Sequence, residues 1–200
     1  MVFGESVARL LLIAHTAVAV ACVGASTHLV LWLRSWRRGK FDRVRATRRF
    51  AAISAALYIA TALVGNLLYP AYKVSVRAQF LDNPSEVTRE ADARSRARER
   101  IESVYGDGAD RPAAVAPTEG PARTAAKMAR WFDVKEHWVV FGAILALALA
   151  LILYGWNPKR DGGEALGPIV FWMAVAASGA AWFAAIVGVA VSSFRAVGAL

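Results

Sequence analysis

Four long apolar runs divide this chain, over residues 10–33, 50–69, 137–156 and 167–194, and each is long enough to cross a bilayer. A hydrocarbon core of about 30 Å takes about 20 helical residues, and within it every backbone polar group has to be satisfied inside the chain. Runs of this length and number therefore specify an all-α fold, an integral membrane four-helix bundle. Apolar residues make up 57% of the 200, and they are clustered, with charged residues crowded between the runs. The simplest organisation is one membrane domain over residues 1–200.

Charge gives the bundle its orientation. After the first run come Arg34, Arg37, Arg38, Lys40, Arg43, Arg45, Arg48 and Arg49, opposed only by Asp42. A short loop this basic belongs in the cytoplasm, with Trp32 and Trp36 as interfacial anchors beside it. Both termini are then extracytoplasmic, and the short loop carrying Lys159 and Arg160 is inside. The net charge of +9 would suggest a nucleic-acid partner in a soluble protein. Here much of it sits in one loop with few interleaved aromatics, so it reads as a topology signal, with anionic lipid headgroups as a secondary partner and no nucleic acid.

Cys22 is the only cysteine, which excludes an internal disulfide, a CxxC metal site and a CxxCH haem attachment. The run around it continues to Leu33 and ends in the basic flank, so it reads as a span and not as a cleaved signal.

The segment 71–133 is an extracytoplasmic loop with several parts. Tyr72–Leu81 is amphipathic and suited to the membrane surface. Pro84–Tyr105 has a charged helical pattern, in which Arg98–Glu102 is an opposite-sign i,i+4 pair and Glu86–Glu90 a like-sign one; it reads as a solvated helix. Residues 106–121, rich in Gly, Pro and Ala, read as a flexible connector. In the fourth span Ala176, Ala180, Ala184, Gly188 and Ser192 recur every four residues, and Ala17, Ala21 and Ala25 do so in the first. Small-residue stripes let helix backbones approach closely where lipid supplies no hydrophobic drive. The favoured reading is packing within the bundle; the sharper one is a homo-oligomer or membrane-protein interface through Ala176, Ala180, Ala184 and Gly188.

Chemistry is confined to a polar layer at the outer ends of the spans. His15 and His137 lie there at depths differing by about one helical turn, and two imidazoles on two helices are what an axial pair for one b-type haem requires. Asn66 and Tyr69 close the second span at that level, with Lys73 and Arg77 just beyond to hold propionates. The same His15, His137, Asn66, Tyr69, Lys73 and Arg77 set suits a quinone headgroup. A metal site would need Glu136 as a third ligand. The structural alternative is that these residues are interfacial anchors, with Glu136 paired to Lys73 or Arg77. His28 points about 140° from His15 and has no fourth histidine to join, which disfavours a two-haem ladder. No phosphate loop, dinucleotide fingerprint, HExxH motif or placed triad occurs, and no span carries the buried acids of an ion pump.

Two stretches, Tyr69-Pro70-Ala71-Tyr72-Lys73-Val74-Ser75-Val76-Arg77 with Leu81-Asp82, and Phe132-Asp133-Val134-Lys135-Glu136-His137, resemble a group of uncharacterised four-span bacterial inner-membrane proteins. In that group a Tyr-Pro exit from span two and a Lys-Glu-His start to span three flank an outer loop. The resemblance implies a bacterial inner-membrane address and carries no catalytic residue over. A looser likeness to four-helix b-type cytochromes rests on the layout with His15 and His137. The expectation is a non-catalytic subunit or accessory protein of a membrane complex; the rival is a redox membrane protein holding one haem or a quinone.

Overall fold

Each apolar run is the middle of a longer helix. The structure, a computed structural model, describes residues 4–105, 119–158, 161 and 165–194. It contains α1 (Glu5–Trp36), α2 (Val44–Ala71), a π-helical continuation of α2 (Tyr72–Leu81), α3 (Pro84–Tyr105), α4 (Glu119–Gly155) and α5 (Leu166–Phe194). No strand occurs among the described residues. Four of these helices are long and apolar enough to span a membrane, and at most 39% of the most apolar stretch of any of them is buried within the protein. The rest of that apolar surface needs lipid, so the chain is a multi-pass membrane protein with an all-α four-helix bundle.

The four helices pack in a ring in which α1 touches α2 and α5, and α4 touches the same two. One side chain crosses the diagonal: buried Tyr58 of α2 donates its hydroxyl to the Ala177 carbonyl of α5. Gly142 of α4 makes this crossing possible, because a Cβ there would lie 2.6 Å from the Tyr58 hydroxyl oxygen. Between α1 and α5, Trp182 Nε1 donates to Thr27 Oγ1 at 3.0 Å, and Thr27 Oγ1 lies 3.3 Å from Ser178 Oγ. Of the small-residue stripe on α5, Ala180 is fully buried, and Ala176, Ala184 and Gly188 are half-buried.

The bundle has two unlike ends. At the basic end, α1 stops in a Schellman turn: Gly39, at φ 72°, donates to the Trp36 carbonyl at 3.0 Å and Lys40 to that of Ser35 at 3.1 Å. Trp36 is buried, donates its Nε1–H to the Asp42 carbonyl at 3.0 Å, and meets Phe41 and Trp156 edge-on. Gly167 sits so close that a Cβ would lie 2.6 Å from the Trp36 carbonyl oxygen. Arg48 reaches across to α4 and donates Nε–H to the Leu153 carbonyl at 2.6 Å and an Nη2–H to that of Trp156 at 2.8 Å. A guanidinium there satisfies carbonyls that the helix end leaves without partners and complements its negative dipole end.

At the other end the helices overshoot the membrane. The 37 residues of α4 extend about 55 Å at 1.5 Å per residue, well beyond a core of about 30 Å. The excess builds a second core, in which Tyr72, Val76, Phe80 and Leu81 pack with Val87, Ala125, Ala129, Val187 and Val191. Tyr72 stacks on Phe132 at 3.8 Å between ring centroids.

Here the structure departs from expectation. Tyr72–Leu81 does not peel away along the membrane surface; the helix runs through Pro70 and widens into π turns, ending with the Asp82 N–H on the Arg77 carbonyl five residues back. Its apolar face is covered by protein instead of lipid headgroups. Helix α4 begins at Glu119, so the helix that carries the third span starts well before the span itself. Of the expected connector over 106–121, residues 106–118 lie outside the described residues, and 119–121 are the first turn of α4, where Pro121 needs no N–H partner.

Candidate functional site

Helix rise places the polar layer at the end of the bundle away from the basic loop. His15 stands 21 residues before Trp36 on α1, Gly65 21 after Val44 on α2, Lys135 20 before Gly155 on α4, and Gly188 21 after Gly167 on α5. Each interval is about 30 Å at 1.5 Å per residue, one hydrocarbon thickness from the basic end. Four helices thus bring these residues to the opposite membrane boundary.

There they meet. The His15 ring lies against Gly65, where a Cβ would approach its Cε1 to 3.1 Å. His15 Nδ1 is buried and has no hydrogen-bond partner. The Lys135 ammonium turns in between α4 and α5: its Nζ sits 4.7 Å from the centroid of Phe132 and would lie 3.5 Å from a Cβ at Gly188. Its charge is felt at the His15 ring, and Glu136 and Lys135 act on each other electrostatically. No carboxylate comes within ion-pair distance of Lys135 among the described residues.

The other expected site residues lie apart from this cluster. His137 is exposed, and its Nδ1 is 2.9 Å from the Asp133 carbonyl one turn earlier, which assigns the proton to Nδ1 and leaves Nε2 facing outward. A haem held by both histidines would need both rings turned to one space; as placed, one lies against Gly65 and the other on the exposed surface. Asn66 is exposed. Half-buried Tyr69 carries exposed Lys73 over its ring at 5.5 Å. Arg77 is already engaged, by Asp133 at 2.6 Å and Asp82 at 3.2 Å. The ion pair expected for Glu136 is thus made by Asp133, one turn nearer the end of the helix, because the continued π segment carries Arg77 past the level of Glu136. Exposed His28 lies between Trp32 and Phe50, with ring centroids at 4.7 and 5.2 Å. No group of three or more metal-ligating side chains occurs among the described residues.

Sequence reading missed two features of function-bearing geometry. The inward turn of Lys135 is one; the glycine at Gly188, one of three in α5, was its only signal. The other is the outer half of α3. Residues 92–104 are exposed throughout, and Ala93, Ala97, Ile101 and Val104 form one apolar stripe along them at helical spacing, flanked by Arg96 and Arg100. Only the beginning of the helix is fixed, by Val87 in the second core and by Arg94, which donates to the Phe194 carbonyl at 3.1 Å.

The chain was compared with family models, with curated proteins and with solved structures, and none of the three comparisons returned a match.

Proposed function

We propose that this chain is a non-catalytic subunit or accessory protein of a complex in the bacterial inner membrane, with both termini on the extracytoplasmic side. The orientation rests on the basic loop between α1 and α2, and the bacterial address on the resemblance of the Tyr69–Arg77 and Phe132–His137 stretches to four-span inner-membrane proteins. The observation that carries the role is the uncovered stripe of α3. Ile101 and Val104 are 60% and 66% exposed on a helix that leaves the second core after its first turns. Most exposure of this kind belongs to the spans, where lipid covers it; on α3, which is not a span, it fits the helix-in-groove pattern of a partner contact. The arginines at its borders suit an acidic rim.

The test is site-specific photo-crosslinking in cells, with the photoreactive residue at 97, 101 or 104 and controls at 95 and 99 on the opposite face. A discrete adduct to one other protein from the stripe alone supports the role. Adducts from both faces alike, or a chain that purifies as a partnerless monomer in mild detergent, would overturn it. Orientation is checked separately with thiol reagents: Cys22 is buried and the only cysteine, so Lys40→Cys is expected to label only from the cytoplasmic side and Ser103→Cys only from outside.

A further inference from the structure

We propose that the turn between α1 and α2 holds the headgroup of one phosphatidylethanolamine, with Asp42 taking its ammonium and Arg43 its phosphate. Leu31, Trp32, Ser35, Asp42 and Arg43 line an open cavity of about 270 Å³ at the basic end of the bundle. Its level is set by α1. Leu31 and Trp32 stand five and four residues before Trp36, about 6–8 Å inside the boundary at 1.5 Å per residue. The cavity therefore runs from the edge of the hydrocarbon, where Leu31 is 59% exposed, up to the charged turn. Asp42 is the one acid among the eight basic residues of this loop. Neither its carboxylate nor the Arg43 guanidinium makes an ion pair among the described residues. Opposite charges thus line one cavity without neutralising each other. Arg43 is also the one non-glycine residue at positive φ among the described residues, at 53°. An arginine in the left-handed region is strained where a glycine would not be, and strain of this kind collects at ligand clamps.

The ligand chemistry follows from what the walls offer. Ser35 donates its hydroxyl proton to the Trp32 carbonyl at 3.1 Å, so its oxygen faces a ligand only as an acceptor, like the Asp42 carboxylate. Two acceptors, one of them charged, call for a cation that carries N–H groups. Arg43 offers a fork of N–H donors and a positive charge, and calls for an oxyanion. Helix α2 starts behind Arg43 with no side-chain cap and no acid in its first turn, so its free N–H groups favour negative charge at the same place. A primary ammonium and a phosphodiester on one short headgroup answer both demands. The glycerol and acyl chains then continue past Trp32 and Leu31 into the bilayer. An anionic phospholipid would satisfy Arg43 and set a second negative charge against Asp42. A phosphatidylcholine would bring both charges and no N–H. The turn is fixed before any lipid arrives: Trp36 Nε1 holds the Asp42 main-chain carbonyl at 3.0 Å, so the fold uses the backbone of Asp42 and leaves its carboxylate to the ligand.

The experiment uses the full chain, stripped of lipid by exchange in a mild detergent, with adducts counted by native mass spectrometry and the unfolding midpoint followed in parallel. The probes are phosphatidylethanolamine, phosphatidylglycerol, phosphatidylcholine and water-soluble glycerophosphoethanolamine. One phosphatidylethanolamine per chain is expected to bind about fivefold more tightly than either other lipid, the scale of one charge contact at a membrane surface. Asp42→Asn keeps the main-chain tie to Trp36 and is expected to lose that preference, with phosphatidylglycerol bound at least as well as before. Arg43→Gly removes the guanidinium and relieves the backbone at φ 53°. It should leave the unfolding midpoint nearly unchanged while the phosphatidylethanolamine adduct weakens about fivefold. An Arg38→Gln, Arg45→Gln double variant, on the same loop and outside the cavity lining, is expected to keep the preference. Equal binding of the three lipids by the wild type would overturn the proposal. So would tighter binding of phosphatidylglycerol, which would make the loop a general attractor of anions. An undiminished preference in Asp42→Asn would sink it as well. Displacement of the lipid by an equal concentration of glycerophosphoethanolamine would do the same, by making the ligand a soluble one.

Discussion

The two ends of the bundle solve the same problem, how to finish four helices at a membrane boundary, in opposite ways. At the basic end the helices stop within a turn of one another. Their loose carbonyls are taken by Gly39, Lys40 and Arg48, and Trp36 fills the gap with both its ring and its N–H used. At the projecting end no helix of the α2–α4 pair stops at the boundary. Both continue into a second core, and at the boundary His15 Nδ1 is buried without a hydrogen-bond partner while Lys135 makes a ring contact with Phe132 and no ion pair among the described residues. The basic end is tied off by these bonds, although the Nε1 of Trp156 beside Trp36 stays buried without a partner.

If this contrast holds, substitutions at the basic end unfold the bundle, while those beyond the boundary loosen only the projecting body. The largest effect is expected for Trp36→Ala, which removes a ring that is 1% exposed and its hydrogen bond; about 3–5 kcal/mol should be lost, read as a shifted midpoint in a reversible SDS titration from mixed micelles. Arg48→Ala deletes two charge-assisted bonds to α4 carbonyls and should cost about 3 kcal/mol in the same titration; a loss no larger than that of a surface arginine would dissolve the contrast. Gly142→Ala forces Tyr58 from a hydroxyl position 2.6 Å from the new methyl, and about 1–3 kcal/mol is expected, with Tyr58→Phe in the same background recovering part of it. Arg77→Ala should change the global midpoint by about 1 kcal/mol or less, since the arginine and its two aspartates are partly exposed. Its signature is instead faster proteolysis within α3 at an unchanged midpoint; a global loss as large as that of Arg48→Ala would mean the two ends unfold as one.

The four spans and their packing class could be read from the chain because length and apolarity alone decide them. The projecting body could not. Pro70 looks like a stop, since proline removes an N–H and crowds the preceding turn, and Asp133, Lys135 and Glu136 look like the polar limit of a span. Burial of Tyr72, Val76 and Phe80 against α4 and α5 carries the helices past both signals, which mark the end of the span and not of the helix. His15 could be singled out by its type and depth. Its neighbours could not, because Gly65, Lys135 and Gly188 are brought to it by three other helices, and a lysine beside an acidic residue gives no hint of which way it turns. Arg48 was legible as charge and illegible as a tie, because its acceptors are main-chain carbonyls 105 and 108 residues away.

The π turns after Pro70 set the azimuth of everything that follows. In an ordinary α-helix, positions four apart drift about 40° around the axis at each step, so Tyr72, Val76 and Phe80 would fan out of a common plane. The wider winding turns less per residue, and all three lie in the second core. The segment therefore works as a phase corrector between two rods: α2 is clocked by the bundle, α3 by the body. One residue added or removed there would turn Tyr72, Val76 and Phe80 off the second core they build.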